Sequence, residues 1–131
     1  MAYWLFSKKN SMKNLEIIIL AAGKGTRMKS SKPKILHELG GKQIIDYVVE
    51  ASNRLKPKRI HLVVNKQIKD NFKNYNNLNI VIQKKQNGTG DAIKSAIKSL
   101  KKDSVALVLY GDVPLIKHKT ILNVSKIKTN K

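Results

Sequence analysis

Four short runs rich in isoleucine, leucine and valine constrain this chain more than any other feature. They are residues 16–21 (EIIILA), 59–64 (RIHLVV), 79–83 (NIVIQ) and 104–110 (SVALVLY). Their brevity and β-branched content predict strands. The first and last are nearly continuous in apolar residues, as central parallel strands covered on both faces must be.

The stretches between these runs carry a different period. Across residues 43–55, Ile44, Ile45, Val48, Val49 and Leu55 form one apolar stripe, with Asp46, Glu50 and Arg54 off it. Ala92, Ile93, Ala96, Ile97 and Leu100 repeat the pattern, with Lys94, Lys98 and Lys101 facing away. Both predict amphipathic helices. Weaker helical segments are expected at residues 66–73 and 117–127. Strands alternating with helices define an α/β class, a Rossmann-like, doubly wound parallel sheet with right-handed crossovers.

At 131 residues, one domain is the default. The absence of cysteine excludes disulfides and thiolate metal sites and is compatible with a cytoplasmic location. No apolar run approaches the roughly 20 residues of a membrane span. The net charge of +19 raises nucleic-acid binding as a possibility. Against it, the 27 basic residues are scattered, and only Arg27, Arg54 and Arg59 are arginine, the usual reader of base edges. No interleaved aromatic and basic segment offers a stacking platform, and no specific nucleic-acid partner is expected. His37, His61 and His118 lack metal-ligand spacing and read as structural.

Three segments carry chemistry. After the first run comes Ala21-Ala22-Gly23-Lys24-Gly25-Thr26-Arg27-Met28, with Lys32-Pro33-Lys34 close behind. Glycines after a central strand let backbone amides approach a ligand at the carboxyl edge of the sheet. The loop fits neither the dinucleotide fingerprint nor the P-loop, and alone it reads equally as an ordinary glycine-rich turn. The second segment is Gln83-Lys84-Lys85-Gln86-Asn87-Gly88-Thr89-Gly90-Asp91-Ala92, where Thr89 suits a helix cap. The third, Tyr110-Gly111-Asp112-Val113-Pro114-Leu115, places a carboxylate just past a buried strand. That position suits a hard cation such as Mg²⁺ as well as a plain loop aspartate.

In this order, the segments resemble the signature of the sugar-phosphate nucleotidyltransferases, most closely the branch of N-acetylglucosamine-1-phosphate uridylyltransferases. The resemblance implies the nucleotide-diphospho-sugar transferase fold, with the strands in spatial order third, second, first, fourth. It implies that Leu20, Ala21, Ala22 and Gly23 line the base and ribose. Gln83, Gly88 and Thr89 would contact uracil, and Tyr110, Gly111 and Asp112 complete the nucleotide site. Arg27 and Lys34 would be catalytic cations over the phosphates, Lys34 also binding nucleotide, and Asp112 the ligand to Mg²⁺. UTP and a sugar 1-phosphate would be the substrates, and UDP-N-acetylglucosamine the product. Lys85 and Asp91 depart from that branch, which usually carries an acidic residue and a histidine there.

The rival readings are a nucleotidyltransferase for another sugar, alcohol or cofactor phosphate, and a non-catalytic nucleotide-binding fragment. By the same resemblance, residues 15–131 are a C-terminally incomplete domain, because the family's sugar-binding residues and second metal ligand would follow Lys131. Such a fragment is expected to be inactive alone. Residues 1–14 read as an extension, with Met12 as an alternative start. If the fourth strand is outermost, its uncharged run Val105, Ala106, Leu107, Val108, Leu109 favours self-association.

Overall fold

The computed structural model describes residues 3–7, 14–22, 33–84, 89–101 and 104–111. In chain order the elements are β1 (Tyr3–Ser7), β2 (Leu15–Leu20), a 3-10 turn (Lys34–Leu36), β3 (Glu38–Leu39), β4 (Lys42–Gln43) and α1 (Ile44–Arg54). There follow β5 (Arg59–Val64), a second 3-10 turn (Lys69–Phe72), β6 (Leu78–Ile82), α2 (Thr89–Ile97) and β7 (Val105–Tyr110). The four expected strands are present within a residue or so at each end. They pair in parallel in the order β6-β5-β2-β7, which is the expected third, second, first, fourth.

A fifth strand, which the sequence did not suggest, completes the sheet. Tyr3–Ser7 pairs antiparallel with β7, from Tyr3 opposite Leu109 to Ser7 opposite Val105. The expected open edge at β7 is therefore covered. The physical reason lies on both sides of the pairing. β7 offers a full row of backbone donors and acceptors, and the segment YWLFS is aromatic-rich, a composition that favours strands.

The sheet is covered on both faces. On one, Ile17, Ile19, Leu62, Val64, Leu107 and Leu109 pack with Ile45, Val48 and Val49 of α1 and with Ile35, Leu36 and Phe72 from the two 3-10 turns. On the other, Ile18, Leu20, Val63, Ala106 and Val108 pack against Ala92 and Ala96 of α2. The alanines let α2 approach the sheet closely. α1 starts where expected because Asp46 accepts a hydrogen bond from the backbone N–H of Gln43 at 3.0 Å, one half of a capping box. Asp46 also accepts from the Tyr75 hydroxyl. Burial, and then that carboxylate, raise the Tyr75 pKa, so the phenol keeps its proton.

Two local features depart from expectation. Residues 66–73 form only a short 3-10 turn, because asparagine side chains compete for backbone groups: Asn65 Oδ1 accepts from Ile68 N at 3.1 Å, and Asn71 Nδ2 donates to Ile68 O at 3.1 Å. Before α1, β3 and β4 form a two-residue hairpin whose turn residues Gly40 and Gly41 have φ of 65° and 86°. Positive φ at both central positions is what a tight hairpin turn demands. The segment 117–127 lies outside the described residues.

A carboxylate interrupts the core. Glu16, the second residue of β2, lies on the α2 face with only 1% of its surface exposed. Its Oε1 accepts from Arg59 Nε at 2.8 Å and bonds His61 Nε2 at 2.9 Å. Its Oε2 accepts from Lys101 N at 2.9 Å and from the Ser104 hydroxyl. The His61 ring, fully buried, bonds Asn79 Nδ2 at 2.8 Å through Nδ1. The tautomer with its proton on Nε2 satisfies both contacts. His61 is thus structural, as the sequence suggested.

Burial alone would raise the Glu16 pKa, but the hydrogen bonds from Ser104, His61, Lys101 and Arg59 outweigh it and hold the carboxyl below its usual range. An unfolded glutamate titrates near pH 4.3. The stabilisation is therefore complete above about pH 4.3 and is lost as pH falls through the lower folded value. Thermal unfolding followed from pH 3 to 7 should show a midpoint that drops below about pH 4.3. In Glu16→Gln the acid-dependent part should shrink, with a loss of roughly 2–3 kcal/mol at pH 7, less than for a fully buried pair because Arg59 keeps some solvent.

Candidate active site at the carboxyl edge of the sheet

α1 leads from the β2 side to β5 over one face, and α2 leads from β6 to β7 over the other. The chain therefore reverses its direction of winding between β2 and β7. In open α/β sheets the crevice beyond the carboxyl ends of two such strands is where ligands bind. Leu20, Ala21 and Ala22 at the end of β2 and Tyr110 and Gly111 at the end of β7 meet there. Gly111 N donates to Leu20 O at 2.9 Å, and Ala21 N donates to Val63 O at 2.8 Å. The three strand ends are thus tied into one rigid rim.

Gly111 lacks a side chain for a steric reason. A Cβ on Gly111 would stand 3.0 Å from Ile45 Cδ1, 3.2 Å from Leu20 O and 3.4 Å from Ala21 Cβ. The end of β7 lies against β2 and the start of α1 with no room for a side chain. Ala21 and Ala22 are themselves buried, one in each core cluster. The resemblance implied Gly111 as part of the nucleotide site, but the sequence carried no sign of its closeness to Ile45.

Gln83 closes the far end of the same edge. Its N–H donates to Val64 O at 2.9 Å, continuing the ladder one residue past β6, and its surface is only 5% exposed. Thr89 is the first residue of α2. It therefore sits inside the helix rather than at the expected cap. Lys34 opens the first 3-10 turn, whose Ile35 and Leu36 are anchored in the core, while Lys34 itself is half-buried. Gly23, Arg27, Gly88 and Asp112 lie outside the described residues. Among the described residues no group of three or more histidine, aspartate or glutamate side chains could hold a metal ion.

A parallel sheet wound in this way, with a crevice where the winding reverses, is the architecture in which open α/β proteins bind ligands. Residues 17–127 match the MobA-like NTP transferase domain, and the chain belongs to that family. It is 52% identical over 114 residues to the bifunctional protein GlmU of Buchnera aphidicola subsp. Acyrthosiphon pisum (strain Tuc7), a match that covers 86% of this chain and 25% of the relative. It is 42% identical over 116 residues to the bifunctional protein GlmU of Pseudomonas fluorescens, again over 86% of this chain and 25% of the relative. The chain spans about a quarter of the length of these curated relatives.

Solved structures share the fold at low identity. Rv0371c of Mycobacterium tuberculosis superposes with a TM-score of 0.77 at 13% identity, over 89% of this chain and 61% of that one. The 4-diphosphocytidyl-2C-methyl-D-erythritol synthase of Anaerococcus prevotii gives 0.71 at 22% identity, over 88% and 52%.

The contact at Gly111 is testable. Gly111→Ala should cost about 1–3 kcal/mol of stability, as overpacking does, and should weaken nucleotide binding. Adding Ile45→Val, which deletes the Cδ1 atom in the way, should restore part of both losses. Urea denaturation and nucleotide titration of the single and double variants check this.

Proposed function

We propose that the chain supplies the uridine-nucleotide site of a sugar-phosphate uridylyltransferase that joins UTP and N-acetylglucosamine 1-phosphate into UDP-N-acetylglucosamine and pyrophosphate. The observation that carries the reading is the meeting of Leu20, Ala21, Ala22, Tyr110 and Gly111 at the reversal of winding between β2 and β7. The named relatives support the choice of sugar and base, since bifunctional protein GlmU recurs among them.

In this reading the base and ribose lie on the rim at Leu20, Ala21, Ala22 and Gly23. The amide side chain of Gln83 and the backbone at Gly88 and Thr89 read the donor and acceptor edge of uracil, a task that needs no net charge. The sugar 1-phosphate oxygen attacks the α-phosphorus of UTP in line, and the bond to pyrophosphate breaks. Arg27 and Lys34 offset the charge that builds on the phosphate oxygens. No protein nucleophile is required. Asp112, a hard oxygen donor just past β7, suits Mg²⁺, which when bound neutralises phosphate charge. The reaction belongs in the cytoplasm, and among the described residues no helix is long and apolar enough to cross a membrane.

Calorimetric titration with UTP and with ATP, each with Mg²⁺, distinguishes this reading from a transferase of other base specificity. UTP should bind more tightly, Gln83→Ala should narrow the gap, and Lys34→Ala should weaken both nucleotides alike. Equal affinity for ATP and UTP in the unaltered chain overturns the assignment.

A further inference from the structure

The opposite side of the sheet from β1 carries a second feature, distinct from the crevice. β6 is the terminal strand of the sheet, bonded to β5 on one side only. Because Gln83 N donates inward to Val64 O, the alternation of a strand turns the N–H and C=O groups of residues 79 and 81 inward as well. Those of Leu78, Ile80 and Ile82 point outward. No backbone bond from these three to anything beyond β5 is present among the described residues. Leu78–Ile82 contains no charge and no proline, the devices that usually keep an edge strand from pairing. Ile82 leaves 37% of its surface exposed.

At the amino end of this same strand lies a groove of about 560 Å³, lined by Lys56, Lys58 and Arg59 together with Asn53, Asn77 and Asn79. Pro57, Ile60 and Leu78 complete its wall, and no acidic side chain lines it. Arg59 is committed to Glu16, but Lys56 and Lys58 are exposed. An uncharged strand edge, unpaired among the described residues, thus runs directly into a cationic groove.

We infer that the β6 edge is a docking surface for an extended peptide segment of a partner, added as a further strand, with carboxylates at one end seated in the groove. Main-chain bonds to Leu78, Ile80 and Ile82 give the affinity, as in other strand additions. The carboxylates give direction. An antiparallel strand, the slightly more stable pairing, places its C-terminal end at the groove, so the acidic residues follow the paired stretch. A second copy of this chain fits poorly. At +19, two copies paired through β6 would bring the groove of each against Lys84 of the other.

The probe is a fluorescein-labelled peptide, Thr-Val-Thr-Val-Thr-Asp-Glu-Asp, titrated with the whole chain by fluorescence anisotropy. Saturable binding is expected, weakening as salt is raised. Lys56→Glu with Lys58→Glu should reduce affinity by about tenfold, the scale of close charge pairs. Lys94→Glu with Lys98→Glu, an equal change of charge at exposed positions of α2 and the turn that follows it, should leave it unaltered. A peptide with proline in place of both valines should bind at least tenfold more weakly, since it lacks the donors a strand needs. Absence of saturable binding overturns the inference, as does equal binding of the proline peptide or indifference to the Lys56 and Lys58 changes. A stable dimer that the peptide does not dissociate overturns it in favour of a second copy.

Discussion

Burying a carboxylate costs several kcal/mol unless donors surround it, and in this chain the donors of Glu16 arrive from every part of the α2 face. Arg59 and His61 come from β5, Lys101 from the segment after α2, and Ser104 from the entry to β7. Arg59 also donates to Ser99 O, and His61 passes the network on to Asn79 of β6. The four parallel strands and the end of α2 are therefore held at one set of separations. Hydrophobic packing alone would leave the strands freer to slide, since Ile, Leu and Val on neighbouring strands are nearly interchangeable partners.

This lock and the ligand crevice stand at opposite ends of β2. The amino end spends its polar groups on itself, and what is left for the carboxyl end is backbone and small side chains. The rim at Leu20, Ala21 and Gly111 is rigid because its own amides are consumed by neighbouring strands. No side chain fits at Gly111, where the end of β7 lies against β2 and the start of α1. Nucleotidyl transfer suits such a rim, because its catalysis depends on positioning more than on covalent chemistry by the protein.

Much of this was legible beforehand. The strands follow from short β-branched runs, α1 and α2 from a period of 3.6, and the strand order from three motifs in family order, because in those segments local pattern and tertiary demand agree. What was not legible is long-range or a contest between local options. Tyr3–Ser7 looked like a tail because nothing in its sequence says which edge it meets, with its partners as far along the chain as Val105 to Leu109. Residues 66–73 lost their helix to Asn65 and Asn71. Gly40-Gly41 between Leu39 and Lys42 was a readable hairpin signal. Glu16 was visible as a charge at the head of an apolar run, but its partners lie 43 to 88 residues away. For the site, Leu20, Ala21, Ala22, Gln83, Tyr110 and Gly111 fall along the expected edge, while the Ile45 contact needed coordinates.

The place of β7 in the sheet also bears on synthesis. β1 and β2 are joined by residues 8–14 and run antiparallel, yet they are not neighbours, because β7 lies between them. A ribosome delivers the outer two some ninety residues before the strand that separates them. Until β5 emerges, the only described strand of this sheet each can meet is the other, in the geometry of an ordinary hairpin; once it does, β5 can take the far side of β2. The native sheet is then reached by insertion rather than by addition at an edge, which makes the arrival of β7 the step that commits the nascent chain to its fold.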